Sequence, residues 1–200
     1  MRRAMSHLQS VDPVLGEIIE QVGPCRIQYA EPDFETLARS IVFQQLNGKA
    51  ARAIFARLKG ALGNGSRMTP REVLSLPPVQ MQTLGLSRQK AKYIHDLAEK
   101  VQAGVITFSQ LADLSDAEVI DHLTTVKGIG VWTAQMFLLF ALRRPDILAT
   151  GDLGIRLAIR KAYRFRKLPT PARVEKVGAK WHPHSSVACW YLWRSFDTTI

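Results

Sequence analysis

The spacing of apolar residues leaves this chain few folds to adopt. Phe34, Leu37, Ile41 and Val42 fall on one helical face, and so do Ala91, Ile94, Ala98 and Val101. Val119, Ile120, Leu123 and Val126 make a third such stripe. Period-two alternation never persists over the length of a strand. The helix start signals agree. Thr69-Pro70 with Glu72, and Ser115 with Glu118, have the form of capping boxes. Gly63-Asn64-Gly65, Pro77-Pro78 and Arg144-Pro145 punctuate the pattern. The expected fold class is all-α, with about ten short helices. No internal repeat and no low-complexity segment interrupts it.

Two hundred residues suffice for one domain, or for one domain split into two lobes. Hydrophobic residues are 46% and charged residues 22%, which excludes a disordered tail, a collagen-like fibre and a disulfide scaffold. The charge is more selective. The chain carries 27 Lys+Arg against 17 Asp+Glu, a net +10. Residues 126–200 alone hold 13 Lys+Arg and 4 Asp+Glu, whereas residues 101–125 hold no Lys or Arg and 4 Asp+Glu. Such an uneven field attracts polyanions, nucleic acid first, although a solvated surface also accounts for it. Cys25 and Cys189 stand far apart with no ligand spacing, so neither a zinc site nor an iron–sulfur cluster is supported. Met1–Val11 has no apolar core of signal-peptide length, and the longest apolar run is Met136–Leu142. A cytoplasmic protein without a membrane partner is expected, nucleoid-associated if bacterial.

Four segments could carry chemistry. The first joins two helical stripes through Lys127-Gly128-Ile129-Gly130 and continues into Val131-Trp132-Thr133-Ala134. Two glycines permit a sharp turn, and the following helix opens with N–H groups that suit a phosphate. A plain connection between two helices is the other reading. The second is Gly151-Asp152-Leu153-Gly154-Ile155, where Asp152 begins a new amphipathic helix. Aspartate there is a favoured cap. It is also a carboxylate whose charge the helix terminus favours, as an oxocarbenium-like transition state requires nearby. On that helix Arg156, Arg160, Arg164 and Lys167 share one face, opposite Ile155, Leu157, Ile159 and Ala162. The third is Gln44-Gln45 at the end of an apolar helix; these amides cap it, face solvent, or fill the gap left by a flipped base. The fourth is Gly85-Leu86-Ser87-Arg88-Gln89-Lys90, where basic residues open a helix beside a glycine turn.

Taken in order, with the tryptophan-rich segment from Trp181 to Arg194, these motifs resemble those of the helix–hairpin–helix DNA glycosylases, and more closely the 3-methyladenine DNA glycosylase II group. The resemblance spans about residues 34–194. It implies a single catalytic unit over 1–200: a middle helical barrel (34–143) ending in the helix–hairpin–helix (116–142), and a second lobe made of 1–33 and 146–200, with a cleft between them. Asp152, twenty positions after Trp132, aligns with the family's essential aspartate. Gln44 and Gln45, Lys127, Gly128, Ile129, Gly130, Thr133, Arg156 and Arg160 take DNA-binding positions, with Gln45 the better match to the residue that wedges into the duplex. Trp132, Met136, Leu153, His184 and Phe34 fall at the base pocket. Family hairpins hold a monovalent cation by backbone carbonyls, which Thr124, Val126 and Ile129 would supply; no other cofactor is required.

Trp132 stands where strand-cutting members carry a nucleophilic lysine. The resemblance therefore implies a monofunctional enzyme of base excision repair. It would flip alkylated purines of the 3-methyladenine and 7-methylguanine type from double-stranded DNA and leave an abasic site, acting as a monomer. The alternatives are a glycosylase for uracil, hypoxanthine or etheno-adducts, and a non-catalytic sensor of damaged DNA. The chain departs from the family pattern at Asn47, which replaces a serine, and at His184-Ser185, where an aromatic or tyrosine precedes arginine. Met136 and Leu153 also depart, standing at positions that are aromatic in larger members.

Overall fold

The computed structural model describes residues 1–63 and 67–197, and among these it is helical throughout, with no strand. Twelve α-helices occur there: α1 (Arg2–Val11), α2 (Pro13–Val22), α3 (Phe34–Phe43), α4 (Gly48–Ala61), α5 (Pro70–Ser75), α6 (Pro78–Thr83), α7 (Arg88–Gln102), α8 (Asp116–Thr124), α9 (Val131–Phe140), α10 (Leu153–Ala162), α11 (Pro171–Gly178) and α12 (Ser185–Arg194). The count exceeds the expected ten because α5 and α6 are single six-residue segments. Asn64 and Gly65 of the expected turn lie outside the described residues; Gly63 beside them has φ +112°.

The helices fall into two compact units. One comprises residues 30–142, the other 1–29 together with 143–200. In the first, most residues of the stripes expected from sequence form the core, whereas Val101 and Ile120 are only half-buried. Leu37, Ile41, Ala91, Ile94, Ala98, Val119 and Leu123 are fully buried, and Phe34 is 5% exposed. Each such Leu or Ile contributes about 1.5–3 kcal/mol relative to leaving it in water. The capping boxes are both present, Thr69 with Glu72 on α5 and Ser115 with Glu118 on α8. α9 is apolar on nearly every side and buries Thr133, Ala134, Phe137, Leu138 and Leu139. Its first turn breaks this rule, because Val131 and Trp132 are 55% and 48% exposed.

In the second unit α12 runs through the centre, with eight successive residues from Ser185 to Leu192 buried. Asp12 holds the surrounding helices together. Its carboxylate caps α2 through Val14 N–H (3.2 Å) and Leu15 N–H (3.3 Å). It also accepts from Trp181 Nε1 (2.8 Å) and the Tyr163 hydroxyl, and pairs with Lys180 Nζ (3.2 Å). Burial alone would raise the Asp12 pKa; the hydrogen bonds from Tyr163, Trp181, Leu15 and Lys180 more than offset it and hold the carboxyl below its ordinary value. Burial, reinforced by Asp12, pushes the Tyr163 hydroxyl far upward.

Candidate functional site

The turn between α8 and α9 is braced from beneath by α7. Gly128 has φ +83°, and a Cβ there would meet the Tyr93 ring at 2.0 Å, so only glycine fits on both counts. Asp96, 7% exposed in its side chain, accepts from Lys127 N–H (2.9 Å) and pairs with Lys127 Nζ (3.2 Å) and Lys100 Nζ (2.7 Å). Burial raises its pKa, but these bonds prevail and hold it low. Ile129 is buried and its N–H closes the turn onto Val126 O (3.0 Å). Whereas eight other helices receive a side-chain cap, α9 is preceded by Gly130 and receives none. A Cβ on Gly130 would meet nothing within 4 Å. The turn thus presents the start of α9 outward, next to the exposed Trp132. Thr133 lies in that first turn with its side chain buried, so only its main chain can face a ligand there. Lys127 keeps a 74% exposed side chain despite its ion pair.

The loop between α3 and α4 separates its two glutamines. Gln44 turns inward, and its Nε2 donates to Gly128 O (2.9 Å). This corrects the expectation that both amides face DNA: one braces the turn. Gln45 is exposed and adopts φ +55°. Asn47 caps α4 by accepting from Ala50 N–H (2.8 Å), a role serine fills equally well, which explains that departure. Lys90, half-buried, is likewise tied to the main chain; its Nζ donates to Val42 O (2.7 Å) and to Gln44 O.

Asp152, in the other unit, is both a cap and a positioned carboxylate. Its Oδ1 accepts from Ile155 N–H (2.7 Å) and from Trp193 Nε1 (2.9 Å). A Cβ on Gly154 would lie 3.0 Å from that same oxygen and 3.2 Å from Trp193 Cδ1. The glycine two residues after the aspartate therefore keeps room for the carboxylate and the indole to meet. Leu153 is 57% exposed beside them. Sequence reasoning missed Trp193 as a partner; the tryptophan-rich end was the signal, but its target lies 41 positions away.

The remaining candidates divide between the units. Phe34 and Met136 belong to residues 30–142, buried and half-buried, with Trp132. Leu153 and His184 belong with Asp152. His184 packs edge-on against His7 (centroids 5.4 Å), and burial, then the neighbouring His7, lowers its pKa. Ser185 donates from N–H (3.1 Å) and Oγ (2.6 Å) to Asp146, which also holds His182 Nδ1. The basic face after Asp152 is shorter than expected. α10 stops at Ala162 and Arg164 has φ +54°, so Arg164 and Lys167 lie beyond the helix. Arg156 donates from Nε to Pro169 O (2.8 Å), an internal tie, while Arg160 is exposed.

Residues 38–184 match the family described as HhH-GPD superfamily base excision DNA repair protein. The chain belongs to this family. It is 36% identical over 199 residues to DNA-3-methyladenine glycosylase 1 of Schizosaccharomyces pombe, covering 98% of this chain and 87% of that protein. A solved 3-methyladenine DNA glycosylase of that yeast, in complex with abasic DNA, superposes with a TM-score of 0.86 over 96% of this chain and 95% of the other, at 36% identity. A DNA-3-methyladenine glycosidase from Bacillus halodurans gives 0.85 at 32% identity, covering 96% and 88%. For this HhH-GPD member, the all-helical fold agrees with the resemblance read from sequence.

Proposed function

We propose that this HhH-GPD protein is a monofunctional DNA glycosylase that hydrolyses the N-glycosidic bond of alkylated purines in double-stranded DNA. The observation that carries the reading is Asp152 Oδ1, fixed by Ile155 N–H and Trp193 Nε1 at the mouth of α10. The target base must leave the stack before any side chain reaches its sugar. The uncapped start of α9 and the turn at Gly128–Gly130 bind a backbone phosphate without reading sequence. Gln45 fills the vacated space. Trp132 offers its exposed ring to the extruded base, and a cationic 3- or 7-alkylpurine gains about 0.5–2 kcal/mol from that face. Such a base departs neutral with the bonding electrons, so no strong general acid is required. Asp152 stabilises the positive charge that develops on the sugar and orients the water that replaces the base.

Position 132 is tryptophan rather than a nucleophilic lysine, which supports simple hydrolysis without strand cleavage. The carbonyls of Thr124, Val126 and Ile129 would hold a monovalent cation in the turn. The Val126 oxygen already accepts Ile129 N–H and has its second lone pair for such an ion. When bound, the cation would add positive field near the phosphate. The protein acts as a monomer on DNA in the cytoplasm. Release of free 3-methyladenine or 7-methylguanine from methylated duplex, with strands intact until alkali is added, is the expected outcome. Release of uracil or hypoxanthine instead would move the substrate class, and binding without any release would leave a damage sensor.

A further inference from the structure

We propose that Lys90 is a positioning residue for the Gln45 wedge, locking the loop between α3 and α4 to α7 and, through Gln44, to the phosphate-binding turn. The inference rests on reading Gln45 as the residue that fills the space left by the extruded base. Lys90 stands in the first turn of α7, the end of a helix where a positive charge is least favoured. It is half-buried as well, and burial lowers its pKa. Its Nζ donates to both Val42 O and Gln44 O. These carbonyls lie at the C-terminal end of α3, which has no further helical turn to satisfy them. Both bonds are charge-assisted and so stronger than neutral ones.

The wedge begins at the next residue. Gln45 has φ +55°, a conformation that a non-glycine residue holds only when its surroundings impose it. Packing does not impose it. Gln45 and Leu46 are exposed, and a cavity of about 240 Å³ opens beside them, walled by Ile54, Leu86 and Lys90. The polar ties do the holding: Lys90 grips the main chain before the wedge, and Gln44 Nε2 reaches Gly128 O (2.9 Å). Lys90, Tyr93 and Asp96 recur at three-residue spacing on α7. The first holds the wedge loop, the second lies under Gly128, and the third holds Lys127. One helix thereby carries both elements, and a wedge set on it keeps a fixed place relative to the bound phosphate.

A lysine that merely stabilised the fold would affect every substrate alike. The test compares single-turnover release of 7-methylguanine from a fully paired duplex and from a strand in which the lesion has no partner, where no wedge is needed. Lys90→Met should lower the rate on paired DNA about tenfold more than on unpaired DNA. Gln45→Ala should show the same selectivity, and the double variant should be no worse than Gln45→Ala alone. If Lys90→Met does not fold, Gln44→Met, which cuts the loop from Gly128, should give the same profile. In duplex carrying 2-aminopurine beside an abasic analogue, these variants should lose the fluorescence rise that the wild type produces. Equal loss on both substrates, or additive losses in the double variant, overturns the role of Lys90 while a selective Gln45→Ala leaves the wedge reading in place. A Gln45→Ala variant without selectivity overturns both.

Discussion

Asp12 and Asp152 are built alike and lead to opposite ends. Each caps a helix, and each accepts an indole N–H from a distant tryptophan, Trp181 for Asp12 and Trp193 for Asp152. Asp12 is fully buried, with a tyrosine hydroxyl and a lysine added to its partners. Asp152 keeps partial exposure, and the side chain after it, Leu153, is more than half exposed. A sealed carboxylate can only hold structure together. A carboxylate that keeps part of its surface exposed can meet a developing positive charge. Burial, not residue type or capping geometry, separates the two.

That comparison breaks most visibly at Asp12. Asp12→Ala leaves the Tyr163 hydroxyl and the buried Trp181 N–H without their acceptor and removes the ion pair of the exposed Lys180, and should destabilise the protein by about 3 kcal/mol in urea unfolding. The same carboxylate sets an acid limit. Its folded pKa lies below the unfolded value, so its contribution is present above the ordinary carboxylate range and is lost as pH falls through the lowered one. Wild-type stability should therefore drop below about pH 4, and the Asp12→Ala variant should show less of that dependence. A variant as stable as wild type would show that the hub does not hold this unit.

The next effect is smaller and falls on chemistry. Trp193→Phe keeps an aromatic ring, a smaller one, but removes the N–H donated to Asp152 Oδ1. The expected outcome is a fall in excision rate of about tenfold, with unfolding changed by no more than about 1 kcal/mol. Loss of stability without loss of rate would place Trp193 with Trp181, as structure only.

Much of this was legible in the sequence, and the legible parts were local. Both capping boxes, the buried stripes on α3, α7 and α8, and the glycine turn depend on neighbours within one or two helical turns. Asp152 was legible for the same reason, since its cap bond reaches only to Ile155. The unread parts depend on partners far along the chain. Gln44 meets Gly128 across 84 positions, Lys90 meets Gln44 across 46, and Tyr163 meets Asp12 across 151. No spacing rule encodes such pairs. The end of α10 was missed because no glycine or proline marks it; Arg164 adopts the left-handed region instead.

The central claim is that Asp152 serves chemistry rather than folding, and Asp152→Asn tests it most directly. Asparagine caps a helix about as well as aspartate, so the fold should persist with a melting temperature close to wild type. Base release from methylated duplex in a single turnover should fall by about a hundredfold or more, with affinity for abasic DNA retained. Release near the wild-type rate would contradict the account, because a carboxylate that can be neutralised without loss is only a cap.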